Sequence, residues 1–189
     1  MPRLFTGLEI PDDVALDLQV MQGGIPGARW LEPSHFHLTI RFVGDIEQGL
    51  ALDLAEVLAG IDFKPFSLRL KGVGIFGGNK PHSLYVGIET GDELKRLHGL
   101  HERLTQGLGL PPESRKFMPH VTLARLRNPD LRALQRWVEV HSLYSTQAFE
   151  VNQFVLFSAR PLRGGGPYAV EVAYPFNPEK QERDHERTI

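Results

Sequence analysis

The sequence predicts an α+β fold of two similar lobes, each a mostly antiparallel sheet with flanking helices, set around a central cleft. Three observations predict it. Strand-like alternation and helix-like periodicity are interspersed along the chain rather than segregated. The stretches 66–88 and 148–174 read as hairpin-like strand pairs, each broken by a glycine-rich turn. Each hairpin also follows a strand–helix unit whose strand carries His-x-Thr, a weak internal duplication that would bring two such motifs face to face. A doubly wound parallel sheet fits less well, because its strands should be continuously apolar.

The elements follow in order. Residues 3–9 alternate and read as a strand, and Pro11 with Asp12 and Asp13 suits the start of a helix over 14–21. Gly23, Gly24 and Gly27 end that helix. A strand over 36–43 closes at Gly44-Asp45, and residues 47–59 repeat apolar positions at three and four, an amphipathic helix. Strands are expected over 66–72 and 84–88, with a turn from Gly74 to Pro81 between them, and a helix over 92–108. A loop opened by Pro111-Pro112 leads to a strand over 120–126, a helix over 130–140, and strands over 148–158 and 168–174. Residues 1–176 are expected to form one bilobal domain, and the highly charged segment 177–189 a tail.

With 189 residues, the chain is long enough to bury a sizeable core without staples. Apolar residues make up 41% and charged residues 23%, an ordinary globular balance. A net charge of -2 argues against coating long duplex nucleic acid, which needs a basic footprint, and leaves room for a short nucleotide end. There is no cysteine, so thiolate metal sites, cysteine nucleophiles and disulfides are excluded. The opening residues read as a strand rather than a leader, and no window approaches a membrane span. A cytoplasmic monomer is the default expectation.

The strand around residue 37 carries the sharpest chemical signal. By period-two parity His37, Thr39 and Arg41 share one face, and Phe36, Leu38, Ile40 and Phe42 the other. The second strand repeats the pattern with His120 and Thr122 opposite Val121 and Leu123. Arg125 falls on the Val121 parity, so it reaches the same face only if the strand twists, bulges or ends there. Two imidazoles can take one proton and give another near neutral pH. Threonine hydroxyls can donate to the non-bridging oxygens of a phosphoryl group, where charge must be held. The grouping therefore suits phosphodiester hydrolysis without a metal, and neither a metal set nor an organic cofactor is implied. His35 shares the parity of His37 at a loop–strand join and could line the cleft. His98 and His101 lie three apart on a helix and lack a third ligand for zinc. The glycines from 72 to 78 lack the order of a phosphate loop. Lys80 and Arg163 at the two hairpin turns could meet an RNA backbone, although solvated turn charges are commoner.

His37-Leu38-Thr39-Ile40 and His120-Val121-Thr122-Leu123, 83 residues apart, resemble the paired motifs of the two-histidine (2H) phosphoesterase superfamily. Arg3-Leu4-Phe5, Ala28-Arg29-Trp30, Phe42-Val43-Gly44 and Pro119 to Arg125 extend the likeness to its RNA 2′,3′-cyclic phosphodiesterase family, also called the 2′-5′ RNA ligase family. The resemblance implies two similar lobes around a cleft and opening of an RNA-terminal 2′,3′-cyclic phosphate to a 2′-phosphate. It also implies, for some members, reversible 2′-5′ joining of tRNA halves. On this sequence it makes His37 the acid toward the 3′ oxygen, His120 the base that activates water, and Thr39 and Thr122 the phosphate grips. Arg125 would help hold the phosphate or nucleotide. Tyr85 stands where relatives often carry another aromatic, facing either substrate or core.

Three rival readings remain at this level. One keeps the chemistry on a small cyclic nucleotide such as ADP-ribose 1″,2″-cyclic phosphate. Another is a nucleotide- or RNA-binding module without turnover, whose mark would be loss of one motif; both motifs are intact here. The last is a structural domain with incidental histidines, which the doubled motif disfavours.

Overall fold

The computed structural model describes residues 3–89, 91–159 and 168–179. The Arg163 turn and most of the charged tail lie outside these residues.

The first strand, β1 (Arg3–Glu9), is followed by helix α1 (Asp12–Val20), the short strand β2 (Ala28–Trp30) and the first motif strand, β3 (His37–Asp45). Helix α2 (Gln48–Ala59) then leads through β4 (Phe66–Leu68), β5 (Leu70–Phe76) and β6 (Ser83–Ile88) to α3 (Asp92–Gly107). The second motif strand, β7 (His120–Leu126), is followed by α4 (Leu131–His141), β8 (Phe149–Val151), β9 (Gln153–Ala159) and β10 (Tyr168–Pro175). Asp130 stops the preceding loop and starts α4, because its carboxylate accepts the Ala133 N–H at 2.9 Å. The expected elements are present, with local differences. The stretches expected as strands over 66–72 and 148–158 are each split in two, and β5 runs on through Gly72 and Gly74 to Phe76, leaving a tighter turn. Strand β2 had no periodicity to announce it, since three residues are too few to show one.

The fold is α+β with antiparallel pairing throughout. Strand order among the described residues is β10-β9-β1-β3-β7-β6-β5, with β2 along the edge of β7 and β4 paired with β8 in a separate ribbon. The duplication is deeper than the motifs alone show. The series β1-α1-β3-α2-β4-β5 repeats as β6-α3-β7-α4-β8-β9, apart from the added β2. The last strand of each unit is exchanged: β5 pairs with β6 of the second unit, and β9 pairs with β1 of the first. The two halves meet where β3 and β7 pair, at Leu38 and Val121.

The helices cover one face. Leu4, Leu8, Leu38 and Ile40 pack with Leu54 and Leu58 of α2 and Leu94 and Leu97 of α3. Leu84, Val86, Val121 and Leu123 pack with Leu18 of α1 and with Leu134 and Trp137 of α4. A side chain of this type contributes about 1.5–3 kcal/mol on full burial, so these two clusters anchor β3 and β7 firmly. On the opposite face Phe5, Val155 and Phe157 form a small cluster of their own. That face carries the candidate site.

Candidate active site

Antiparallel register through Leu38 and Val121 sets His37 beside Thr122 and Thr39 beside His120, on the face away from the helices. The doubled motif thus becomes four polar side chains on two adjoining strands, each histidine diagonal to the other. Both rings are oriented in the same way. Nδ1 of His37 bonds the His35 carbonyl at 2.9 Å, and Nδ1 of His120 bonds the Met118 carbonyl at 2.7 Å. A carbonyl can only accept, so each Nδ1 carries its proton and each neutral Nε2 is left as an acceptor.

Aromatic rings hold the imidazoles. Phe157 of β9 lies 5.7 Å from His37, and Phe76 of β5 lies 4.8 Å from His120, centroid to centroid. These phenylalanines occupy equivalent places on the two exchanged strands, so each unit lends a ring to the other unit's histidine. Phe5 at 4.9 Å and Tyr168 at 4.6 Å complete the box around His37, and Tyr85 at 5.4 Å the one around His120. Burial pushes the His37 imidazole down to about 4, partly opposed by the His35 carbonyl and reinforced by Arg125 and His120. Burial also lowers His120, again opposed by its carbonyl partner and reinforced by Arg125. Neither threonine hydroxyl is engaged in a hydrogen bond with another described residue.

The bulges decide what stands beside these groups. In β3, Thr6 faces Arg41 and Gly7 faces Thr39, so Ile40 is an extra residue; in β7, Leu84 faces Ala124 and Tyr85 faces Thr122, so Leu123 is extra. An extra residue reverses the parity beyond it, in β3 as far as Val43, where a second bulge restores it. Arg125 consequently joins the His120 face, where its charge reaches both imidazoles. Arg41, expected beside His37 and Thr39 as a substrate contact, turns instead to the helix side. It is 6% exposed, its Nε stands 2.5 Å from Oε2 of Glu102, and its guanidinium donates to the carbonyls of Phe42 and Pro111. Phe42, expected in the core, is correspondingly 40% exposed.

The remaining expected residues are placed as follows. His35 ends a 3₁₀ turn, Pro33–His35, half-buried 6.2 Å from Tyr168, and serves His37 through its carbonyl. Tyr85 stacks on Phe76 at 4.2 Å and faces the site rather than the core. Lys80 is exposed on the hairpin turn. His98 stacks on Phe117, and His101 is buried with its Nδ1 on the Leu97 carbonyl. Among the described residues no group of three or more His, Asp or Glu side chains is placed to hold a metal ion. Sequence reasoning missed Phe5, Phe76, Phe157 and Tyr168; the pair Phe76 and Phe157, at matching places in the repeat, was the available signal.

The duplicated chain matches a known family. A model of LigT-like phosphoesterases matches the chain twice in succession, over residues 8–85 and 86–168. The chain belongs to the LigT-like phosphoesterase family. It is accordingly a hydrolase of phosphate esters. An RNA 2′,3′-cyclic phosphodiesterase of Aquifex aeolicus is 31% identical over 160 residues, 82% of each protein. One of Aeropyrum pernix is 38% identical over 106 residues, 55% of this chain and 60% of its own length. The fold is shared with a crystal structure from Thermus thermophilus, at TM-score 0.76 and 24% identity over 94% of this chain and 100% of that one. E. coli LigT complexed with 3′-AMP gives TM-score 0.74 at 19% identity over 93% and 99%. The two successive family matches meet within β6, close to the start of the second structural unit.

Proposed function

We propose that this LigT-like phosphoesterase hydrolyses the 2′,3′-cyclic phosphate at an RNA 3′ end to a 2′-phosphate, without a metal. The observation that carries the reading is the pair of imidazoles whose Nδ1 atoms are fixed on backbone carbonyls, each Nε2 left free beside a threonine of the other strand. The named relatives support the choice of substrate.

In the proposed reaction His120 Nε2 takes a proton from water as its oxygen attacks phosphorus. The bond from phosphorus to the 3′ oxygen breaks, and His37 Nε2 gives that oxygen a proton. Thr39 and Thr122 donate to the non-bridging oxygens, with Arg125 countering their charge. His37 is neutral in the free protein at pH 7, because its pKa lies near 4. The arriving phosphodiester anion favours the imidazolium and so charges the acid only when substrate is present. A 5′-hydroxyl in place of water would give the 2′-5′ joining of RNA ends such as tRNA halves. One chain supplies both halves of the site, which supports a monomer; residues 1–176 would be the catalytic domain, and the cytoplasm its compartment.

The test is hydrolysis of an RNA oligonucleotide ending in 2′,3′-cyclic phosphate, in EDTA, with His37→Ala and His120→Ala alongside. Turnover to a 2′-phosphate is expected, reduced in each variant by roughly 10²–10⁴-fold, the usual contribution of one proton transfer. A 3′-phosphate product would overturn the assigned leaving oxygen, and activity surviving both substitutions would remove the histidines from the mechanism.

A further inference from the structure

One step out from the motif residues, a second row of side chains crosses the same face. Arg29 of β2 stands directly opposite Arg125 of β7, Arg125 opposite Ser83 of β6, and Ser83 opposite Phe76 of β5. Directly opposed residues of an antiparallel pair point to one face, with Cβ atoms about 4.5–5.5 Å apart. Both arginines are exposed, and among the described residues neither has an acidic partner. Trp30, the next residue of β2, packs the other way against Trp137 of α4, which fixes Arg29 on the site face.

Like charges set directly across a ladder are destabilising unless something lies between them. In the same row the Ser83 hydroxyl is buried without a hydrogen-bond partner among the described residues. Arg125 acts on both imidazoles, and Arg29 stands across the ladder from it on the neighbouring strand. The first guanidinium therefore faces the reacting phosphate, and the second lies beyond it. Arg29, level with Arg125 and one strand across, stands three residues of strand past Thr122, on the order of 10 Å less the bulge, the scale of a nucleotide step.

We propose that Arg29, beside the Arg125 guanidinium that faces the reacting phosphate, forms a subsite for the phosphodiester on the 5′ side of the terminal nucleotide, so that the protein distinguishes an RNA end from a lone cyclic nucleotide. The direction follows from chemistry. The terminal ribose carries the reacting phosphate on its 2′ and 3′ oxygens, so the next phosphate of the strand hangs from its 5′ oxygen. An arginine fork suits such a group, donating two charge-assisted hydrogen bonds to its oxygens. The inference rests on the function proposed above for its substrate, yet its test reads binding as well as turnover.

Equilibrium binding would be measured for a nucleoside 2′-phosphate and for a dinucleotide ending in 2′-phosphate, which differ by one phosphodiester and one nucleoside. Wild type, Arg29→Gln and Arg29→Lys would be compared, and kcat/KM measured on the corresponding 2′,3′-cyclic phosphates. The wild-type protein should prefer the dinucleotide, and Arg29→Gln should reduce that preference roughly ten- to a hundredfold, the loss of a charge-assisted contact. The salt dependence of dinucleotide binding should flatten by about 0.7 in log–log slope, one phosphate's share on a single strand. Arg29→Lys should restore part of both, since the charge remains and the fork does not. An unchanged preference in Arg29→Gln overturns the subsite whatever the turnover. The expected binding pattern without hydrolysis by the wild type would uphold the subsite and defeat the proposed reaction instead.

Discussion

Replacing Arg41 with methionine separates a structural arginine from a substrate-binding one. Glu102 accepts from the Glu113 N–H at 2.9 Å and from Gln106 at 2.8 Å, besides its contact with Arg41. Burial opposes ionisation of Glu102, but these donors and the arginine together hold its carboxyl below the usual range. Removing one partner of a buried pair commonly costs about 3–5 kcal/mol. The Glu102 side chain is 18% exposed and keeps two hydrogen bonds, which reduces the cost below that range, to about 2–3 kcal/mol. For a chain of this length that is a fall in melting temperature of about 5–10 °C. The double variant Arg41→Met/Glu102→Leu replaces the pair with apolar bulk and should recover most of the loss, with a coupling of about 2 kcal/mol. Urea unfolding measures the stabilities, and kcat/KM is taken at a temperature where every variant is folded. Arg41 also ties Pro111, in the loop leading to His120, to β3, so a loss of up to about tenfold in kcat is expected from misplacement. Unchanged stability with a hundredfold loss of kcat/KM would refute this reasoning and return Arg41 to the substrate.

Two further predictions concern the core and the ring box. Burial depresses the His101 imidazole to about 4, against about 6.5 when unfolded. The unfolded chain takes up the proton first, so this contribution is present above pH 6.5 and declines as pH falls from 6.5 to 4. His101→Gln should therefore lose less stability than wild type between pH 7.5 and 4.5, by up to about 3 kcal/mol in urea unfolding; parallel curves would show that His101 does not titrate there. Gly74 lies under Tyr85, whose phenol a Cβ at that position would overlap. Gly74→Ala should cost about 1–3 kcal/mol by forcing the ring off Phe76, and lower turnover with it. A thermal midpoint equal to wild type would mean that the ring is free to move.

Period-two parity read His37 with Thr39 and His120 with Thr122 correctly because it was used over three residues, before either bulge. Beyond Ile40 and Leu123 the same rule failed: it placed Arg41 at the site and Phe42 in the core, and allowed Arg125 the site only if the strand twisted, bulged or ended there. No residue type announces those bulges. A signal was nevertheless present in the repeat. Superposing the motifs sets Arg41 against Ala124 and Phe42 against Arg125, and a small apolar residue such as Ala124 belongs inside. Helices α2 and α3 were legible from their own periodicity, since each buries leucines on one face, and α4 from the Pro129-Asp130 start. Strand exchange was not, because β5 and β9 have the same local pattern whichever unit they join. Phe157 and Phe76 could not be assigned to a histidine until that pairing was known.

The same superposition bears on how a two-fold arrangement acts in one direction. His37 and His120 are equivalent in position, carbonyl support and ring contact, as are Thr39 and Thr122, so the centre alone gives a phosphate no preferred orientation. The equivalence ends one step out, where the bulged strands present Phe42 on one side and Arg125 on the other. Either can stack on a flat base, but only the guanidinium also pairs with an anion, so a phosphate is favoured on the Arg125 side alone. Burial differs too, reaching further at His37, where Tyr168 closes over the ring. A substrate bound across these flanks therefore meets two chemically alike histidines in different surroundings. In the proposed reaction the flanks, by setting which oxygen lies nearest each Nε2, would decide which histidine works as acid and which as base.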